Sequence, residues 1–399
     1  MLVFAAPGQG AQSPGFLTAW LDLPGFADRL AAWSDLAGCD LIAAGTTAGA
    51  EEIRDTAVAQ PLLVAAAIAT AEALCGDLDQ ARRKGGIVAG HSVGELAAGA
   101  IAGVLAPEDA MRLVAVRAKA MARAAAAEET GMTAVLGGDE SEVLAAIEAY
   151  GLTPANINAT GQIVAAGTLA QLAALVADPP AGARLRPLSV AGAFHSPHMA
   201  PAVSALRKAA ADVAVADPAM VLLSNLDGAA VTSGADWLER IITQVSAPVR
   251  WKECMASMAD AGTSAFIELL PGGTLTGLAR RALPGVATVA LKTPDDLTAA
   301  RSLLAEHGAL DPFEHGHLPE WRLLVAPHDG TFRAGRPEQV LAPGVAVTSG
   351  SPLGHVEVRT GQHPISPSYG GTIIEWLVED GDPVNVGQPL VRLQPEGTE

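Results

Sequence analysis

The chain has 399 residues, half of them hydrophobic but only 4% aromatic. It can therefore bury a large core built mainly from Ala, Val and Leu, which argues against extended disorder and fits a layered α/β protein of roughly two or three domains. A formal net charge of −18 argues against nucleic acid as a partner, because phosphate binding needs a basic face. Cys39, Cys75 and Cys254 are odd in number and far apart, which fits reduced thiols in a cytoplasm and gives no metal-ligand spacing.

The opening run Met1 to Pro7 precedes the first basic residue, Arg29, so it lacks the charged start of a secretory signal and reads as a buried strand. The most apolar later stretch, Pro61 to Ala71, is too short to span a bilayer and is bounded by Gln60 and Glu72, so no membrane association is expected. From Phe4 to about Ala122 the pattern reads as short apolar strands alternating with Ala/Leu helices, as in parallel strands with crossover helices. Pro107 reads as the first residue of a helix, with Glu108 and Asp109 in its first turn and the apolar spacing continuing through Met121, so Arg117 lies inside a helix.

Within this stretch, Gly90-His91-Ser92-Val93-Gly94 sits between the apolar run Ile87-Val88-Ala89 and a helical segment starting at Glu95. A serine at the apex of a strand-to-helix turn is lifted into a cleft, and the following helix aims its N-terminal amides at a developing oxyanion. Among 42 glycines such a string also arises as an ordinary loop, but the strand before it and the helix after it favour a nucleophile for acyl transfer.

Residues 131–191 change character. They read as a strand (Thr133–Leu136), a helix (Ser141–Tyr150), two strands around Ile157 and Ile163-Val164, a helix (Leu169–Ala177) and a strand (Leu185–Val190), a β-α-β-β-α-β order that predicts a ferredoxin-like insert. A second α/β stretch follows, with strands at Val221–Leu223 and Ala265–Ile267 and a helix near Ala235–Val245. One more helix (Leu297–His307) precedes a Pro/Gly/His-rich connector to Glu320, and beyond Trp321 short β-runs between glycines predict a small all-β module. The expected domains are 1–292, with a hydrolase-like parallel-sheet core in 1–125 and 192–292 and the insert in 126–191; a linker at 293–320; and the β-module at 321–399.

Several spaced motifs then coincide. They are Pro7-Gly8-Gln9-Gly10-Ala11-Gln12, Gln60-Pro61, Gly90 to Glu95, Val116 to Met121 around Arg117, Ala155-Asn156-Ile157-Asn158, Gly192 to Pro197, Ser224 to Gly228, Gln244 before Pro248-Val249-Arg250-Trp251, and Glu268 to Gly272. In this order they resemble the malonyl-CoA:acyl carrier protein transacylases and the related acyltransferase domains of polyketide synthases, over about residues 1–290.

That resemblance implies Ser92 as nucleophile and His195 as its base, with the imidazole oriented by a main-chain carbonyl at Gln244. It implies an oxyanion hole of Gln9 and Val93 amides, Arg117 gripping a malonyl carboxylate, and Phe194, Met121 and Asn158 at the substrate. Phe194 fits a packing role almost as well, and Gln9 an ordinary turn residue. His198 forms an H-x-x-H pair with His195 but no third ligand is evident, so no metal is expected, and the transfer needs no cofactor.

The implied partners are malonyl-CoA and an acyl carrier protein, in fatty acid or polyketide synthesis. A carrier protein that is itself acidic needs a local basic patch, for which Lys119, Arg123, Arg184, Arg186, Arg280 and Arg281 are candidates. Two alternatives stay open: a serine hydrolase of acyl thioesters, and a non-catalytic scaffold.

The C-terminal segment resembles the second half of a biotinyl/lipoyl-type barrel through Gly370 to Leu377, Asp380 to Val384 and Gly387 to Leu390. No lysine follows Lys292, so swinging-arm chemistry is not expected there, and the module is read as one that binds, tethers or weakly oligomerises the chain. His307, His315 and His317 are read as linker residues.

Overall fold

The computed structural model describes residues 1–308, 322–335, 344–358, 361–367 and 370–395. The chain divides into two compact units, Met1–Leu310 and Asp311–Glu399.

In the first unit the strands are β1 (Leu2–Ala6), β2 (Ile87–Gly90), β3 (Thr130–Gly137), β4 (Thr153–Ala159), β5 (Gln162–Thr168), β6 (Ala183–Pro187), β7 (Val221–Leu223), β8 (Ala230–Val231), β9 (Ala265–Glu268) and β10 (Ala287–Ala290). Six of them form one sheet in the order β10-β9-β1-β2-β7-β8, parallel throughout except for β8, which runs against β7. The central strand β1 is buried at every residue. Leu2, Phe4 and Ala6 pack into one core and Val3 and Ala5 into another, so both faces of the sheet are covered and the strand reads as continuously apolar.

The larger core includes, among other helices, Thr56–Cys75, Gly94–Ile101 and Pro107–Ala126. The first is a correction to the expected short apolar run. It is a 20-residue helix long and apolar enough to cross a membrane by length and composition, yet it is mostly buried inside the unit against the other two. Its alanines make this possible, since small side chains let helices approach closely. The expected parallel strands with crossover helices up to Ala122 are present, and the first crossover is long. Between β1 and β2 the described chain is helical or irregular, with helices at Phe26–Ala37, Leu41–Thr46, Thr56–Cys75 and Leu78–Lys84, so adjacent parallel strands are joined by a long helical excursion.

Between the helix Pro107–Ala126 and the return to the main sheet, β3 to β6 form a separate four-stranded sheet in the order β4-β5-β3-β6, antiparallel at every pairing. Two helices, Glu140–Ala149 and Leu169–Ala177, cover one face through Val143, Ile147, Leu172 and Leu175. Asp139 caps the first of these, and Thr168 with Gln171 forms a capping box on the second. Met132, Ala134, Val164 and Ala166 on the opposite face join the large core. The last strand ends at Pro187 and not at the expected Val190; Leu188 N–H still donates to Met132 O at 2.9 Å, and Leu188 and Val190 line the cleft described below.

Helix Asp296–His307 buries Leu297, Ala300 and Leu304, and Arg301 Nη2 donates to Ala73 O at 2.8 Å. The segment expected to begin a linker at 293 is therefore packed on the first unit through His307, whose Nδ1 lies 3.0 Å from Ser264 Oγ. Trp321, the connector to Glu320, His315 and His317 lie outside the described residues.

The second unit is all β, with β11 (Arg322–Val325), β12 (Gly330–Ala334), β13 (Ala346–Val347), β14 (Gly354–Val358), β15 (Gly361–Ile365), β16 (Gly371–Trp376), β17 (Pro383–Val384) and β18 (Pro389–Pro395). They form two antiparallel four-stranded sheets, β11-β18-β16-β13 and β15-β14-β12-β17. The unit has its own apolar core around Phe332, Val356, Ile365, Ile373, Leu390 and Leu393.

Candidate active site

The parallel register Ala6 to Gly90 delivers the end of β2 beside the end of β1, and the chain turns there into the helix Gly94–Ile101. The turn is tight enough that a Cβ on Gly90 would overlap the Gly94 carbonyl, and one on Gly94 would overlap the Ala6 carbonyl. Gly8, in the loop after β1, closes on the same turn, where an added Cβ would stand 2.7 Å from His91 O. Ser92 at the apex has φ +54°, a left-handed conformation that costs a non-glycine residue about 1–3 kcal/mol and lifts its hydroxyl out of the sheet.

His195, itself at φ +58°, meets this serine: Ser92 Oγ and His195 Nε2 are 2.6 Å apart. On the other side of the ring, Nδ1 lies 2.9 Å from the main-chain carbonyl of Gln244. A carbonyl can only accept, so Nδ1 carries the hydrogen and Nε2 presents its lone pair to the serine. Gln244 is the last residue of the helix Gly234–Gln244, where carbonyls lack intrahelical partners; its oxygen also accepts from Ala247 N–H at 3.2 Å and has a second lone pair for the imidazole. Burial, reinforced by the nearby Arg117, pulls the imidazole down to about 3, with the Gln244 bond opposing.

Arg117 lies on the inner side of the helix Pro107–Ala126 and is 2% exposed. Its Nη1 donates to Gln60 Oε1 at 2.6 Å, and its Nη2 reaches Ser92 Oγ at 3.4 Å. The Gln60 amide is held in turn by Met121 Sδ at 3.5 Å. Burial pulls the guanidinium down to about 10, with nearby Glu95 opposing, so it remains a cation at neutral pH.

Ser92, His195 and Gln60 open on a cleft of about 170 Å3 between the main sheet and the antiparallel one; Arg117 is not in its lining and stands behind Gln60 and Ser92. Ser92, His195, Gln9, Phe194, Met121 and Asn158 all line it. Gln9 is anchored through its side chain, which donates to Arg54 O and Thr56 Oγ1. Asn158 Oδ1 pairs with His91 Nε2 at 2.9 Å, tying the antiparallel sheet to the elbow. Val93 is buried at the head of the helix behind Ser92, and Gln244 stands behind His195.

His198 does not share a site with His195. It pairs with Glu128 at 2.7 Å, and among the described residues no group of three His, Cys, Asp or Glu side chains is placed to hold a metal. Four polar residues around the site had no role assigned from sequence: Gln60, His91, Glu95 and Asn225. Each sits in a motif that also carries apolar core positions, and each is largely withdrawn from solvent; a polar residue inside an otherwise apolar motif is the signal that could have found them.

A serine poised on an imidazole, with a backbone carbonyl rather than an acid behind the ring, places this α/β core in the class of serine acyltransferases. Comparison with known proteins agrees. The acyl transferase domain model matches residues 3–303. The malonyl CoA-acyl carrier protein transacylase of Mycobacterium tuberculosis is 53% identical over 308 residues, covering 76% of this chain and 100% of the relative. That of Escherichia coli K12 is 32% identical over 307 residues, covering 75% and 98%. The chain belongs to this acyltransferase family.

Among solved structures, the M. tuberculosis enzyme superposes with a TM-score of 0.73 at 52% identity, over 75% of this chain and 99% of that one. A malonyl-transacylase solved in complex with its type II polyketide acyl-carrier protein gives 0.70 at 28% identity, over 75% and 99%. The second unit lies beyond the residues matched by the family model.

Proposed function

We propose that this protein transfers the malonyl group from malonyl-CoA to the phosphopantetheine thiol of an acyl carrier protein by a ping-pong reaction through Ser92. The observation that carries the substrate choice is Arg117. Its buried guanidinium is held by Gln60 and extends to the nucleophile's oxygen, where it can grip the free carboxylate of a malonyl thioester. An acetyl thioester has no charge to offer it.

In the first half-reaction Ser92 Oγ attacks the thioester carbonyl while its proton passes to His195 Nε2. The amides of Gln9 and Val93 hold the oxyanion. As the C–S bond breaks, the imidazolium returns its proton to the departing CoA sulfur. The second half-reaction runs the same steps in reverse, with the carrier thiol as nucleophile and Ser92 Oγ as leaving group. Thiolates leave readily, so a weakly basic imidazole backed by a carbonyl suffices where amide cleavage would call for an acid. Phe194 and Met121 shape the acyl pocket, and Asn158 steadies its far wall through His91. Neither half-reaction calls for a cofactor or a metal.

Arg281 donates to Gln162, a residue of the cleft, so at least one of the six candidate basic residues stands at its edge for an acidic carrier. The antiparallel sheet order supports a ferredoxin-like insert over 126–191, and the paired four-stranded sheets support a lysine-less biotinyl/lipoyl-like module. The three free cysteines support a cytoplasmic setting.

The test is intact mass after brief incubation with malonyl-CoA or acetyl-CoA, for the wild type, Ser92→Ala and Arg117→Ala. The expected result is a malonyl adduct on the wild type alone, discharged by carrier-protein thiol. Losing a bidentate charge-assisted grip should cut malonyl acylation of Arg117→Ala by about 10²- to 10³-fold without slowing acetylation. Steady CoA release with no adduct would show a hydrolase, and neither adduct nor release would show a scaffold.

A further inference from the structure

Asn225 and Glu95 stand under the nucleophile and take no part in the reaction as written. Asn225 is fully buried, and its side chain spans the elbow: Oδ1 accepts from Ser92 N–H at 2.7 Å, while Nδ2 donates to Gly90 O at 2.8 Å. One amide thus grips the last residue of β2 and the apex of the turn together. The main-chain N–H of Asn225 donates in turn to Glu95 Oε1 at 2.8 Å, from the first turn of the helix that follows the serine. Glu95 is 1% exposed, and its other oxygen has no hydrogen-bond partner among the described residues. The charged groups acting on it are Arg117, Arg240 and Asp227.

We propose that Asn225, held by Glu95, is a positioning residue that keeps Ser92 in its left-handed conformation and so sets the 2.6 Å approach of Oγ to His195. Ser92 has a Cβ, so nothing in its own covalent structure favours φ +54°; contacts from outside the residue hold it there, and beside the turn's own bonds the grip on its N–H comes from Asn225. The amide supplies this from a neighbouring strand end, since Asn225 follows β7, which pairs with β2. A carboxylate could not do the same work, because it would accept from Ser92 but repel the Gly90 carbonyl. A neutral donor and acceptor in one planar group is required. Glu95 fixes the backbone from which that group projects. The proposal rests on Ser92 being the acylated residue but not on malonyl being the acyl group.

The experiment uses the full chain and two probes of Ser92. One is the rate of acylation by malonyl-CoA, and the other is the rate of labelling by a fluorophosphonate, which reports nucleophile alignment without a malonyl group. Asn225→Ala should slow both by about 100-fold, the loss that a misplaced reacting group incurs, and should leave the malonyl-CoA KM within about threefold. Asn225→Asp should be slow at neutral pH and recover as the pH falls, when its protonated carboxyl regains a donor for Gly90 O; the wild type should show no such gain. Glu95→Gln keeps the acceptor and should stay within about threefold of wild type in both rates.

Thermal unfolding reports the folded fraction of each variant. Labelling of folded Asn225→Ala at the wild-type rate would overturn the proposal, as would an Asn225→Asp variant with no recovery in acid. Slowed fluorophosphonate labelling in a protein that malonyl-CoA never acylates would keep the brace and reject the substrate.

Discussion

Ser92 and His195 are non-glycine residues with left-handed backbones, and their side chains meet. Strain at both partners of one hydrogen bond shows the surrounding packing overriding local preference where the chemistry needs it. Burial carries a second consequence. With the imidazole pulled from its ordinary 6.5 to about 3, the folded state binds that proton less readily than the unfolded chain. Its contribution to stability is present above pH 6.5 and lost as the pH falls toward 3. Glu95 runs the other way: burial pushes it from 4.5 to about 8, so its contribution is present below pH 4.5 and lost as the pH rises toward 8. Acylation of Ser92 should therefore hold its rate from neutrality to about pH 5, without the usual histidine inflection near 6.5. Single-turnover rates across that range check this, and an inflection at the ordinary histidine value would refute it.

The strand-turn-helix at 87–101 is the element on which the site depends. Its glycines serve close approach between backbones: Gly94 packs on the Ala6 carbonyl at the end of β1, and Gly90 on the Gly94 carbonyl. Gly94→Ala would drive a methyl into main chain that cannot move without breaking the β1–β2 register, so overpacking should cost about 1–3 kcal/mol or more. Thermal unfolding of Gly94→Ala checks this, and an unchanged Tm would show that the turn can widen. The helix Gly234–Gln244 works through its end instead, its final carbonyl standing where a triad acid would.

At the scale of the whole molecule, the cleft draws its lining from residues 8–278, all within the first unit, and the second unit packs around a core of its own. A chain ending at Leu310 should thus fold and acylate Ser92 within about twofold of the full-length rate. The malonyl adduct measured on that shorter chain checks it, and loss of the adduct in a folded truncation would assign the β-unit a part in the reaction.

The elements were legible wherever a local rule fixed them. Gly90-His91-Ser92-Val93-Gly94 between an apolar strand and a helix gave the elbow, and Pro107 with two acids gave the start of the arginine-bearing helix. Alternating patterns gave the order of the antiparallel insert, and ordered motifs gave the family. The length of the helical crossover between β1 and β2 was not legible, because alanine-rich runs suit a buried strand and a buried helix alike. The motif resemblance already pointed to Gln244's carbonyl behind a histidine 49 residues away, whereas tertiary structure alone brought Asn225 beneath a serine 133 residues away. A buried amide declares its role only through the partners that folding brings to it.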